Sequence, residues 1–250
     1  FYEMFVLNPD HSKAHKAGEI HIHDMDFLTL TTTCCQIDLE RLFKNGFSTG
    51  HGHLREPNDI QSYSALACIV IQSNQNDQHG GQSIPTFDYA LSLGVKKTFR
   101  KMYAENFYKA LYMVLGNTLD RKMIVDTILK ITDETGTAKI SMSEEEKIIE
   151  AQKIAKVYAI DFEEVSKLQE FVYKETLFET DRKTYQAMEA FIHNLNTMHS
   201  RAGAQVPFSS INYGTDTSPE GRLVMDRVML ATAAGLGNGE TPIFPIQIFT

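Results

Sequence analysis

The sequence predicts a helix-rich α/β fold with parallel neighbouring strands, on three observations. Apolar segments at 27–37, 206–213 and 242–249 read as strands, the first rich in β-branched residues. Long stretches with helical spacing of apolar residues separate them. Connections of that length are crossovers, which set adjacent strands parallel in a sheet or barrel.

Each element follows from local signals. Residues 1–20 read as the tail of a helix and a loop. FLTLTTTCCQI (27–37) is a buried strand. Leu39, Leu42 and Phe43 have helical spacing before a stop at Gly46, and STGHGHLREP (48–57) is a loop by its glycine and proline content. A long helix runs from about Asn58 to Asn76, with Ile60, Ala67 and Ile71 on its apolar face, and stops at the Gly80-Gly81 turn. Residues 86–115 are helical again. The polar region 117–200 is mostly helical, with Ser143 and Glu146 spaced as a capping box. In 160–199, Leu168, Phe171, Met188 and Leu195 recur at helical spacing. Ser218-Pro219 opens another helix as N-cap and first residue, and Gly235, Gly237 and Gly239 close it. PIFPIQIF (242–249) is a last strand whose two prolines restrict its pairing.

Composition sets bounds. The chain has 250 residues, 42% hydrophobic and 22% charged, with a net charge of −8. That is ordinary globular composition, and its acidity argues against nucleic acid as a partner. Three cysteines, Cys34, Cys35 and Cys68, fit a reducing, cytoplasmic setting better than a disulfide framework. No apolar run is long enough to predict a membrane span or a signal peptide. Phe1 and the strand-like end at Thr250 read as cuts within a longer protein.

Four constellations could carry chemistry. Cys34 and Cys35 are adjacent on a strand, so they face opposite ways and only one can enter a given cavity. From the pair alone, both read first as small core residues. His21 and His23, in HIHD, share a strand face and suit a metal, or a hydrogen-bonded pair near a phosphate. HGH (51–53) is a weaker version of the same pattern. QSNQNDQHGGQS (72–83) packs amides against a Gly-Gly turn; amides can read a base edge, and glycines admit a ligand close to the backbone. SRAGAQVPFSS (200–210) offers Arg201, whose planar fork suits a phosphate, in a glycine-containing loop. The charged stretch 141–156 reads as a solvated helix face, and the aromatic stretch 99–114 as core.

HIHDMDF (21–27), TTTCCQIDLERLFKNGF (31–47), QNDQHGGQSIPTFD (75–88), SRAGAQVPFS (200–209) and TPIFPIQIF (241–249) occur in order across the chain. Together they resemble the anaerobic (class III, glycyl-radical) ribonucleoside-triphosphate reductases. The resemblance does not extend distinctively to about 117–197.

The resemblance implies a ten-stranded α/β barrel of two parallel five-stranded halves, with residues 1–250 supplying roughly the first half of that catalytic domain. It implies Cys34 as the catalytic strand cysteine on the 2′-carbon side of the ribose, with Cys35 facing into packing. Substrate contacts would come from His21, His23, Thr33, Arg201, Ala202 and Gly203. An allosteric effector, ATP or a deoxynucleoside triphosphate, would bind at a dimer interface through Gln72, Gln75, Asn76, Gln78, Gly80, Gly81, Gln82, Ala204 and Gln205.

The implied reaction uses a glycyl radical, installed by a radical-SAM activating enzyme, and a finger-loop thiyl radical that takes the 3′-hydrogen. Formate or a thiol pair supplies the reducing equivalents. The radical glycine, the finger-loop cysteine and a four-cysteine zinc site are not among these residues, so the segment alone is expected to be inactive. Two other readings compete: a metal-dependent hydrolase on an α/β barrel using His21 and His23, and a non-catalytic nucleotide-binding module.

Overall fold

The computed structural model describes residues 1–27, 31–116, 120–199, 201 and 203–250. Four strands, β1 (Thr32–Gln36), β4 (Gln78–Ile84), β5 (Ser209–Tyr213) and β6 (Ile246–Phe249), form one parallel sheet in the order β1-β4-β5-β6. A short antiparallel pair, β2 (Phe47–Ser48) and β3 (His53–Leu54), lies within the stretch read as loop. The sheet strands follow sequence order, without the reversal of a doubly wound sheet.

Helices make the crossovers. Helix α1 (Tyr2–Phe5) and α2 (Pro9–Ala17) replace the single helix tail expected at the N-terminus. Helix α3 (Leu39–Lys44) follows β1, and α4 (Ile60–Asp77) carries a capping box of Asp59 and Ser62. Helices α5 (Phe87–Leu115), α6 (Arg121–Thr135), α7 (Glu144–Tyr158) and α8 (Phe162–Thr197) join β4 to β5. Helix α9 (Pro219–Ala234) joins β5 to β6, with the Ser218 hydroxyl accepting from the Gly221 N–H at 3.1 Å. The Ser143–Glu146 capping box opens α7.

The main departure concerns the amide-rich run. The stop expected at Gly80-Gly81 does not exist: α4 ends at Asp77 and the chain passes directly into β4, an interior strand. Gln, His and Gly have little intrinsic strand preference, but pairing with β1 and β5 on both sides overrides it. The other strands are shorter than expected. The first begins at Thr32, after a 3₁₀ turn at Met25–Phe27; Leu28 to Leu30 lie outside the described residues.

Two cores divide the helices. One cluster joins α4, the first half of α5, the last third of α8, and α9 to Ile84, Ile211 and Tyr213 of the sheet. The other joins the second half of α5 to α6, α7 and the start of α8. Thus α5 runs out from the sheet and α8 runs back. Helix α7 is not wholly a solvated face: Glu150 is fully buried and accepts from Tyr103 Oη (2.6 Å), Thr137 Oγ1 (2.5 Å) and Gln169 Nε2 (2.5 Å). Burial raises the Glu150 carboxyl above its usual range, partly offset by those three donors. In the aromatic stretch, Phe99, Tyr103 and Phe107 are core as expected, but Met113 is exposed.

Since these helices pack on one face of the sheet, alternate strand residues face away from them. Gln36, Ser83, Ser210 and Ile246 stand in register across that open face.

Asp88, fully buried in the first turn of α5, fixes the turn after β5. Its Oδ2 accepts from the backbone N–H of Gly214 and of Asp216, both at 2.9 Å. Asp88→Ala leaves both donors unpaired and should cost about 2–4 kcal/mol, whereas Asp88→Asn, which keeps one acceptor, should cost less. Chemical denaturation of the three proteins checks the order; equal stabilities would refute the role.

Candidate active site

The site is built where β1 meets β4. Cys34 has φ +47 and Gly80 φ +99, both in the left-handed region. The pairing slips there: Thr33 sits opposite His79, and Cys35 opposite Gln82. Strand β4 therefore holds one more residue than β1 across the gap, a bulge that re-aims the Cys34 side chain. A Cβ on Gly80 would lie 2.8 Å from Cys34 Sγ and 3.3 Å from its backbone N, so only glycine allows this approach. On Gly81 a Cβ would come within 3.1 Å of the Phe208 ring.

The three thiols have different surroundings. Cys34 is exposed and borders an open cleft of about 430 Å³ with Cys35, Gln36, Gly81, Gln82, Ser83, Phe208 and Ser210. Cys35 packs partly against the main core, and its Sγ lies 2.9 Å from Asn74 Nδ2 of α4. Burial pushes its thiol up, against the lowering effect of that amide. Cys68 is buried in α4, and desolvation pushes it up to about 12.

The structure brings the amide run and the 201–205 loop together, but in a different manner from that expected. Arg201 donates to the backbone carbonyls of Gln75 and Gln78, clamping its loop to the α4–β4 junction. Gln75 Nε2 reaches the carbonyls of Gln205 (3.4 Å) and Val206 (3.3 Å). Asn74 Nδ2 bonds Gln82 Oε1 at 2.8 Å, and Gln78 Nε2 bonds the Gly80 carbonyl at 3.0 Å. Gln75, Gln78 and Gln82 are buried, so much of the amide density serves an interior network; Asn76, Gly203, Ala204 and Gln205 are exposed. Gln72 Nε2, Gln78 Oε1 and Gln82 Nε2 are buried without a hydrogen-bond partner among the described residues. Ala202 lies outside the described residues.

His21 and His23 are both exposed, ring centroids 5.7 Å apart. Their segment is held by the stacking of Phe27 on His79, 3.7 Å between centroids, and by Thr31 Oγ1 donating to the Asp77 carbonyl at 2.8 Å. Thr33 is half-buried beside Cys34. Among the described residues, the group that could hold a metal ion is His23, Asp24 and Cys34, not His21 with His23.

Comparison with known proteins decides the family. The model of the family described as anaerobic ribonucleoside-triphosphate reductase matches residues 1–250. The chain belongs to the anaerobic ribonucleoside-triphosphate reductase family. Curated members include the bacteriophage T4 protein, 26% identical over 93% of this chain and 29% of its own length. The Haemophilus influenzae protein is 23% identical over 98% of this chain and 27% of its own length, and the Escherichia coli K12 protein 24% over 100% and 27%. The chain thus spans under a third of the length of these reductases. Among the described residues, no helix is long and apolar enough to cross a membrane.

Sequence reasoning singled out the segments that hold Asn74 and Phe208 but gave neither a role; Asn74 anchors Cys35, and Phe208 lies over Gly81. It also missed Gln36, Ser83 and Ser210, whose period-2 spacing on the open face could have marked them once β4 was recognised as a strand.

Two outcomes follow for this reductase-family cleft. Gly80→Ala should destabilise by about 1–3 kcal/mol and displace Cys34, because φ and the Sγ contact both oppose a Cβ; a thermal melt unchanged from wild type would contradict the close approach. Because the thiolate is the nucleophile, iodoacetamide should modify Cys34 first, Cys35 more slowly and Cys68 only on unfolding. Fragmentation mass spectrometry of a time course distinguishes the neighbours, and faster labelling of Cys35 would reverse the assigned facing.

Proposed function

We propose that this chain forms the first part of the catalytic barrel of an anaerobic ribonucleotide reductase, with Cys34 facing the 2′-carbon of a ribonucleoside triphosphate. The observation that carries the reading is the position of Cys34 in a chain of this family: an exposed thiol on the face of the sheet turned away from the helices. The parallel, sequential strands support a barrel arc, and the open face would become the interior of the ten-stranded barrel.

In that pocket the Cys34 S–H can hand a proton to the departing 2′-hydroxyl, which leaves as water. Gln36, Ser83 and Ser210 offer hydrogen bonds along the same face to the substrate's polar groups. The radical chemistry is supplied by a glycyl radical, carried elsewhere in the full-length protein and installed by a radical-SAM activating enzyme. Formate or a thiol pair is the reductant. Excluding water from the closed barrel protects the radical.

The loop 201–205 and the α4–β4 junction form the proposed specificity control. A nucleotide effector bound at a dimer interface would contact exposed Asn76, Ala204 and Gln205, and a shift of the loop would alter the clamp made by Arg201. The hydrolase reading needs His21 and His23 together as ligands, and the group of possible metal ligands holds His23 without His21.

In the full-length, activated enzyme, Cys34→Ala should lower deoxynucleotide formation by roughly 100-fold or more. Equilibrium binding of dTTP, dGTP and ATP should be unchanged. Cys35→Ala should retain most activity. Full activity in Cys34→Ala, or absence of nucleotide binding to the wild-type enzyme, would overturn the proposal.

A further inference from the structure

His23, Asp24 and Cys34 come together although no sheet pairing joins the first two to the third. One imidazole nitrogen, one carboxylate oxygen and the thiol sulfur lie within 4.8 Å of one another. The His23 Nε2 to Asp24 Oδ2 distance is 3.4 Å. Ligand atoms about 2.0–2.3 Å from a tetrahedral ion stand roughly 3.3–3.6 Å apart, so the pair already has that spacing and the sulfur needs only a small approach. His23 is free to make it, its side chain being 71% exposed.

Backbone geometry sharpens the point. Asp24 (φ +46) and Cys34 (φ +47) both hold the left-handed conformation, which Asp tolerates and Cys adopts uncommonly. Gly80 faces both: a Cβ there would lie 2.8 Å from Cys34 Sγ and 3.7 Å from Asp24 Oδ2. The absence of a Cβ at Gly80 leaves room for the Cys34 sulfur and the Asp24 carboxylate on the same side.

We propose that His23, Asp24 and Cys34 form a binding site for a thiophilic divalent cation of the zinc type, which silences the Cys34 thiol. A thiolate, an imidazole and a carboxylate suit zinc-like ions and not magnesium or calcium, which take all-oxygen sets. Three protein ligands leave a fourth position open for water. On binding, the sulfur–metal bond forms, the S–H bond breaks, and the proton goes to solvent; no electrons are exchanged. The ion and any substrate needing the Cys34 S–H then exclude each other. The site itself does not rest on the nucleotide reading, because it requires only the three side chains.

The test uses full-length protein, made metal-free and titrated anaerobically with Co²⁺, which reports thiolate ligation by a near-ultraviolet sulfur-to-cobalt absorption. Wild type should bind one equivalent more than Cys34→Ser, with that absorption accompanying the extra equivalent. His23→Ala should weaken this equivalent by at least roughly tenfold, and His21→Ala should leave it unchanged. Equal stoichiometry in wild type and Cys34→Ser overturns the site, as does equal weakening by His21→Ala and His23→Ala. Both results are independent of nucleotide binding, so failure here leaves the reductase reading standing, and the reverse.

Discussion

The approach of β1 to β4 at Cys34 and Gly80 is the constraint on which the site depends. Two adjacent parallel strands ordinarily keep their side chains in step. Here both depart into the left-handed region, and the pairing loses one residue of register between Thr33 and Cys35. The absence of a Cβ at Gly80 lets the Cys34 sulfur occupy the space over β4. Without that accommodation the thiol would have to move away from the bulge, and Cys35, pinned by Asn74 on the helix side, could not replace it.

The helices supply rigidity at a distance from the chemistry. The core beneath the sheet holds β4 and β5 against α4, α5, α8 and α9. The second core lies out along α5 and α8 and takes no part in the cleft. Its buried Glu150 network fastens α7 to α5 and α8. Much of the stretch from about 120 to 180 packs helices on one another, which fits its less distinctive sequence. The strands, by contrast, bring together residues from widely separated parts of the chain.

Local signals made the helices legible. Caps such as Ser143–Glu146 and Ser218–Pro219 act over a few residues, and the structure realises both. The opposite facing of Cys34 and Cys35 was legible for the same reason, since strand alternation is local. Strand β4 was not legible. Its order comes from partners on both sides, while its own residues, Gln78 to Gln82, point to a turn. The same gap hid the packing of the amides: Gln75, Gln78 and Gln82 are buried at the α4–β4 junction, which their sequence does not announce. Nor could the sequence show that Arg201 spends its donors on the carbonyls of Gln75 and Gln78. The meeting of His23 and Asp24 with Cys34 needs the bulge, which no periodicity announces.

The junction's hydrogen bonds also limit how a signal could travel. Arg201 holds two carbonyls at the end of α4, and Gln75 returns the contact to Gln205 and Val206. Arg201, Gln205 and Val206 therefore cannot shift without freeing polar groups that are buried or half-buried, each costing about 1–3 kcal/mol if left unpaired. Such a loop favours discrete arrangements over gradual drift. Gln78 opens β4 and bonds the Gly80 carbonyl, and Asn74 bridges Gln82 to Cys35. A rearrangement at the clamp thus reaches the bulge through two residues of one strand. The Arg201 clamp and the Cys34 bulge are therefore joined by a short run of hydrogen bonds within one junction.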